Sequence, residues 1–205
     1  MIKKLLLLTT LTLNIIILSG NSMAKENISE EVLQNAYFAG GCFWCMEPVF
    51  DNLEGVTETI VGYSGGSEKD ANYDDVSTKQ TEHIEAIRVS YDPKKISFNE
   101  LLEAYIKNVD PLDPYGQFAD KGPQYLTAVL YNNLEEKEIT EKYFKKVKDE
   151  MILKGEIQVK IEPVKNFFEA EDYHQDYYKK NPLRYNAYKY GSGRPKRLKE
   201  VWGEK

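Results

Sequence analysis

The sequence predicts an α+β fold, a ferredoxin-like two-layer α/β sandwich with a mixed sheet. Three observations carry this expectation. Some segments alternate apolar and polar residues, others repeat apolar residues at helical spacing, and the two kinds follow one another as strand, helix, strand, strand, helix, strand. That order is a split βαβ pattern, to which one more helix and strand are appended. With 205 residues, 41% hydrophobic and 29% charged, the chain has an ordinary globular balance and enough apolar material for one domain.

The elements can be read in turn. Tyr37 to Gly40 is a short strand ending in Gly40-Gly41, and a helix is expected from about Cys42 to Asn52, stopped by Gly55. Val56 to Tyr63 alternates as a second strand, after which Gly65-Gly66 opens a long polar loop. Ile84 to Tyr91 is a third strand, closed by Asp92-Pro93. The next helix has a clear start, because Ser97 and Glu100 make a capping box and Ile96 can staple onto Leu101. Its apolar stripe is Leu101, Leu102, Tyr105, Ile106 and Val109, and it stops before Asp110-Pro111. Tyr125 to Tyr131 is a fourth strand. Asn133 caps a helix with the stripe Ile139, Tyr143, Val147 and Met151, and Ile157 to Ile161 is a fifth strand.

Residues 1–24 stand apart. Lys3 and Lys4 precede an apolar run from Leu5 to Leu18, and Ser22-Met23-Ala24 offers small residues for cleavage, the pattern of a signal peptide. The run is shorter than the ~20 residues of a membrane span and is diluted by threonines and Asn14, although an uncleaved anchor is the alternative. A lead-in at 25–35, a main domain at 36–182 and a C-terminal tail at 183–205 complete the expected organisation. Without residues 1–24 the chain keeps 25 basic against 33 acidic residues, which gives no support to nucleic-acid binding. The tail, polar and rich in tyrosine, is expected to wrap the surface without chemistry. A monomer is the default, and the expected compartment is periplasmic or extracellular.

Only two cysteines occur, Cys42 and Cys45. A disulfide across so small a loop constrains an unfolded chain little, so chemistry explains the pair better than stability. Gly40-Gly41-Cys42-Phe43-Trp44-Cys45 lies where a strand gives way to a helix. There the unpaired N–H groups and the helix dipole favour a thiolate. Lowering a thiol pKa from ~8.5 to ~6.5 raises its ionised share at pH 7 from about 3% to about three-quarters. Phe43 and Trp44 supply apolar walls beside the sulfur. In the third strand, Glu85 shares a face with Ile87, Val89 and Tyr91, so its carboxyl is desolvated and its pKa is expected to rise.

The flanks sharpen this reading. Gly41-Cys42-Phe43-Trp44 followed by Glu47 resembles the signature of the A-type peptide methionine sulfoxide reductases. The resemblance continues through Gly62-Tyr63, Gly65-Gly66, Tyr73 with Val76, His83-Ile84-Glu85, Tyr91-Asp92-Pro93, Gly116-Gln117, Asp120 with Gly122, Gln124-Tyr125, and His174-Gln175 to Asn181-Pro182, over about residues 36–182. It implies reduction of methionine S-sulfoxide in proteins, one of the two epimer-specific repair reactions. Cys42 would be the nucleophile and Glu85 the acid. Tyr73 and Tyr125 would hydrogen-bond the sulfoxide oxygen, Asp120 would be the acid near the nucleophile, and Phe43 and Trp44 would hold the S-methyl group. No bound cofactor is expected, and a thioredoxin-like protein or a dithiol would be the reductant. Many relatives carry recycling cysteines near the C-terminus, and this sequence has none there, so a sulfenic acid on Cys42 would be resolved by Cys45, the internal candidate, or reduced directly by an external thiol.

Two other readings remain open at this point. Cys42, Cys45, His83 and His174 permit a zinc module by count, against which their long, irregular spacing argues. The C-x-x-C pair also suits a thioredoxin-like dithiol oxidoreductase.

Overall fold

The computed structural model describes residues 32–150, 153 and 155–203. The leader expected at 1–24, most of the lead-in and Met151 of the helical stripe lie outside the described residues. No helix among the described residues is long and apolar enough to cross a membrane.

The strands are β1 (Gln34–Gly40), β2 (Val56–Ser64), β3 (Ile84–Tyr91), the short β4 (Gly116–Gln117) and β5 (Asp120–Lys121), β6 (Thr127–Tyr131), β7 (Lys160–Pro163) and β8 (Phe168–Glu169). The α-helices are α1 (Glu47–Phe50), α2 (Tyr73–Ser77), α3 (Phe98–Ile106), α4 (Leu134–Asp149), α5 (Tyr177–Lys180), α6 (Pro182–Gly191) and α7 (Arg194–Trp202). The main sheet runs β7-β6-β1-β3-β2-β8, and β4 and β5 pair separately. Its centre, β6-β1-β3-β2, is antiparallel throughout and has the predicted split βαβ order, with β7 added parallel to β6.

Alternation sorts the strands into two faces. Ala36, Phe38, Val61, Tyr63, Ile87, Val89 and Val129 point into the large core beneath the helices, while Ala39, Ala86, Ala128 and Leu130 form a thinner cluster on the other face. Phe38 is the hub: its ring stacks on Phe50, Phe98 and Tyr105 at centroid distances of 5.2, 6.0 and 4.9 Å. Such pairs add about 0.5–1.5 kcal/mol each beyond their burial. The Tyr105 hydroxyl in turn donates to the Ala39 carbonyl at 2.7 Å, tying α3 to the end of β1. The capping box at Ser97 and the Asn133 cap form as expected, the latter accepting the Glu136 N–H.

Five local expectations are corrected. The helix expected from Cys42 to Asn52 is a 3-10 turn, Phe43–Cys45, followed by the four residues of α1, because Pro48 at its start and the bends after Asp51 leave no room for more. The strand expected from Tyr125 begins only at Thr127, since Pro123 sets a 3-10 turn that contains Tyr125. The last strand of the parallel pair is Lys160–Pro163 rather than Ile157 to Ile161, because the Gln158 N–H is diverted to the Pro111 carbonyl at 2.7 Å. On α4 the deepest line is Glu136, Thr140, Phe144 and Val147, while Ile139 and Tyr143 are half-buried beside it. The region read as a long polar loop after Gly65 contains α2.

Candidate active site

Strand pairing brings the predicted residues to one end of the sheet. Gly40 pairs with Thr127, Phe38 with Ile87, and Tyr63 with Glu85. Because β1 ends where its antiparallel neighbours β3 and β6 begin, the turn carrying Cys42 meets Glu85 and the segment carrying Tyr125. The backbone order alone thus gathers residues more than forty positions apart in sequence.

The turn itself depends on Gly41. Its φ of +74° is left-handed, and an added Cβ would lie 2.5 Å from the Gln117 Cβ. Gln117 cannot move aside: it is fully buried, accepts the Asp110 N–H at 2.8 Å and donates to the Asp110 and Gly116 carbonyls, each at 2.8 Å. Gly41→Ala is therefore expected to cost on the order of 2–4 kcal/mol, read as a lowered urea midpoint, from strain and overpacking together.

Cys42 follows, 7% exposed, and the first 3-10 bond runs from the Cys45 N–H to its carbonyl at 3.0 Å. The next N–H, that of Phe43, donates to Glu85 Oε2 at 2.9 Å. This bond holds one carboxyl oxygen and fixes Glu85 beside the nucleophile's own backbone. Glu85 is 3% exposed, and burial pushes its pKa up to about 8 against the pull of the Phe43 N–H, with the charges of Asp120 and Cys45 adding to the rise. The carboxyl is accordingly protonated at neutral pH.

Cys42 does not behave as its position in sequence suggested. Burial pushes its thiol well above the ordinary range, and Cys45 and the charge of Glu85 push the same way, with only the Tyr188 hydroxyl opposing. A three-residue 3-10 turn supplies little dipole, so desolvation wins and the resting sulfur is a thiol. Cys45, 4% exposed, goes the other way, to about 7, through its hydrogen bond with Cys42 against the cost of burial, helped by the charges of Arg194 and Lys189. Both cysteines are free.

Tyr73 and Tyr125 are both half-buried, and both phenols are raised first by burial and then by the charges of Glu85, Cys42 and Asp120. Asp120 is raised by burial too, against a hydrogen bond from the Tyr188 hydroxyl. All five predicted polar residues therefore feel one another's charges. Tyr125 reaches the site from a 3-10 turn and Tyr73 from the first residue of α2.

The aromatic wall is more elaborate than Phe43 and Trp44 alone. The Phe43 ring lies 5.9 Å from Tyr63 and 5.0 Å from His174, and Trp44 stacks on Tyr177 with centroids 3.7 Å apart. The Trp44 Nε1–H donates to His174 Nδ1 at 3.0 Å, so Nδ1 is the unprotonated nitrogen of a ring whose pKa burial lowers. Tyr73 completes this side with its ring 4.8 Å from His174.

Sequence reasoning missed the residues that brace this wall. Glu171 accepts the Tyr63 hydroxyl at 2.9 Å and the Tyr73 N–H at 2.8 Å. Glu47, buried and pushed up to about 7 by desolvation, accepts the Asp176 N–H at 2.7 Å. Gln175 bonds to both main-chain groups of Val61, each at 2.9 Å. The two-residue motif His174-Gln175 was visible; its long-range partners were not.

The tail is the clearest correction. Residues 183–205 do not merely wrap the surface: they carry most of α6 and all of α7, and the Tyr188 hydroxyl hydrogen-bonds both Asp120 and Cys42. Tyr185 packs with Cys45, and Arg194 donates to the Gly40 carbonyl at 3.2 Å. Its many tyrosines were the only signal, and composition does not say which of them turn inward.

A family model described as peptide methionine sulfoxide reductase matches residues 34–205, which include nearly all of the described residues. The chain belongs to this family. Among curated relatives, the reductase is 42% identical over 168 residues to "Peptide methionine sulfoxide reductase MsrA 2" of Staphylococcus aureus strain MRSA252, covering 82% of this chain and 95% of that one. It is 39% identical over 196 residues to "Peptide methionine sulfoxide reductase MsrA/MsrB" of Vibrio cholerae, covering 96% of this chain. The match spans only 52% of that longer relative. Among solved structures, methionine sulfoxide reductase A of Corynebacterium diphtheriae matches at 32% identity and a TM-score of 0.65, over 74% of this chain and 76% of that one. Mxr1 from Saccharomyces cerevisiae in reduced form matches at the same identity and score, over 73% and 86%. The reductase is thus an A-type enzyme, an oxidoreductase acting on sulfur.

The rival sequence readings gain nothing from the geometry. His83 of the reductase contacts the Ser67 carbonyl at 2.9 Å and accepts the Gly66 N–H at 3.3 Å, while His174 serves Trp44. Among the described residues, no three His, Cys, Asp or Glu side chains gather where they could hold a metal ion.

Proposed function

We propose that the reductase acts on methionine S-sulfoxide, peptide-bound and free by the same route, through Cys42 as nucleophile and Glu85 as acid. The observation that carries this reading is a buried carboxylic acid, protonated at neutral pH, tethered to the backbone of the residue next to the buried sulfur. A sulfoxide sulfur is electrophilic, but its oxygen leaves poorly as an anion, so attack needs a proton at that oxygen. Cys42 Sγ attacks the sulfoxide sulfur as Glu85 protonates the oxygen, with Tyr73 and Tyr125 donating hydrogen bonds to it and Asp120 held close by Tyr188. Phe43 and Trp44 enclose the S-methyl group.

The resting thiol fits this scheme. Sulfoxide, thiol and carboxylic acid are all neutral, so when Glu85 gives its proton to the oxygen and its carboxylate takes up the proton that leaves Cys42, no bare charge is left in the desolvated site. Oxygen passes to Cys42, which becomes a sulfenic acid, and methionine is released. Cys45 then condenses with it to a disulfide and water, and a thioredoxin-like protein or a dithiol restores both thiols. The leader pattern at residues 1–24 supports repair of secreted or periplasmic proteins.

The activity is checked by supplying both sulfoxide epimers of a methionine peptide with dithiothreitol: the S-epimer should be consumed and the R-epimer should persist. Equal consumption would refute the epimer assignment. The role of Cys45 is checked by mass spectrometry after one turnover without reductant. A Cys42–Cys45 disulfide is expected, and a lasting sulfenic acid beside a free Cys45 would exclude the internal route.

A further inference from the structure

Cys45 faces two ways. It contacts Cys42 on the side of the aromatic wall, and it also lines a separate cavity of about 500 Å³ beneath α7, to which Cys42 does not contribute. Lys189, Arg194 and Lys199 line this cavity, and among the described residues no aspartate or glutamate does. Pro48 and Leu198 give it an apolar wall. In a chain with a net charge of −6, three basic side chains around one recess are a concentration of positive residues among the described lining. Arg194 donates hydrogen bonds to the Asn108 and Gly40 carbonyls at 2.7 and 3.2 Å, and its charge acts on both Cys45 and Asp120. Lys189 lies over the Tyr185 ring, 5.7 Å from its centroid.

We propose that this cavity is the entry site of the reductant, binding a small thiol that carries an anionic group and presenting it to Cys45. The inference rests on the reading of Cys45 as the resolving cysteine. In the oxidised enzyme the incoming thiol RSH attacks the Cys45 sulfur. The Cys42–Cys45 bond breaks, a Cys45–S–S–R bond forms, and the proton of RSH ends on Cys42, whose buried sulfur favours the thiol. A second RSH then attacks the R sulfur of the mixed disulfide, giving RSSR and Cys45 as a thiol. The two electrons that reduced the sulfoxide are returned in these two steps. Lowered to about 7 first by its hydrogen bond with Cys42 and then by the charges of Arg194 and Lys189, Cys45 is a good leaving group for the second step. Volume suits the assignment, since about 500 Å³ matches a small-molecule site.

The test begins with the protein oxidised by one turnover and its mass measured to establish the Cys42–Cys45 disulfide. Its reduction is then followed with 2-mercaptoethanesulfonate and with 2-mercaptoethanol, thiols of similar size that differ in charge. The anionic thiol should react about tenfold faster, and its rate should saturate with concentration and fall with salt. In the Lys189→Gln/Lys199→Gln variant the ratio of the two rates should approach one, the neutral thiol serving as the control for folding. A disulfide that forms but is reduced at equal rates by both thiols, or a ratio unchanged in the variant, overturns the proposal alone. If no disulfide forms, the reading of Cys45 fails first and the proposal with it.

Discussion

Cys42→Ser is expected to lower sulfoxide reduction by roughly four orders of magnitude or more, the scale on which enzymes lose activity when a nucleophile is removed. The serine hydroxyl is close in size, so the protein should fold and the aromatic wall should keep its shape. What is lost is the polarisable sulfur that can attack another sulfur and then hold its oxygen. Steady-state turnover with dithiothreitol measures the effect. Survival of more than about a hundredth of the rate would move the nucleophile elsewhere.

Glu85→Gln carries the second large effect, a loss of about 10²–10⁴ in kcat/KM. Glutamine can still accept the Phe43 N–H that Glu85 Oε2 accepts at 2.9 Å, so the turn is held and only the transferable proton is removed. The pH dependence gives a sharper signature. With Glu85 pushed to about 8, the acid form disappears as pH rises through that value, so wild-type activity should fall above about pH 8 and the variant should lack that fall. Stability follows the same group. Its ordinary value is 4.5. Below that, folded and unfolded chains both hold the proton, and above about 8 neither does. Between the two only the folded chain holds it, so stability falls as pH rises across this window. Glu47 contributes with the same sign from 4.5 to about 7. Urea midpoints against pH should therefore decline less steeply in Glu85→Gln than in the wild type, and identical slopes would contradict the buried-acid description.

Much of this was legible in the residues. The central sheet order follows from alternation and from two well-capped helices, because capping boxes and period-two patterns are local signals. The Glu85 environment was legible for the same reason: it shares a strand face with Ile87 and Val89, and both are fully buried. The failures are of a different kind. Tyr125 was placed in a strand because the run to Tyr131 is apolar, but Pro123 and Gly122, at a φ of +143°, bend the chain first. Cys42 was expected to ionise because a glycine pair before a cysteine suggests a helix start, and the length of that helix decides its dipole. Tyr188, Arg194 and Glu171 act across the sequence, through partners 68, 154 and 108 positions away, and no local pattern encodes such contacts.

These corrections alter the chemistry more than the fold. A thiol already ionised would need only a proton for the oxygen, whereas a buried neutral thiol must lose its proton as the oxygen gains one. The Tyr188 hydroxyl, which hydrogen-bonds Cys42, acts in the direction of the thiolate. The tail thereby reaches the site around Cys42, and the family model's match extends through it to position 205.

The central claim is that Cys42 itself takes the oxygen. The most direct measurement mixes a Cys45→Ser variant with one equivalent of a methionine S-sulfoxide peptide, without reductant, and follows both the methionine released and the mass of the tryptic peptide bearing residue 42 after trapping with a sulfenic-acid reagent. The account predicts one methionine per chain and the trapped adduct on Cys42. Methionine formed while Cys42 remains an unmodified thiol would contradict it.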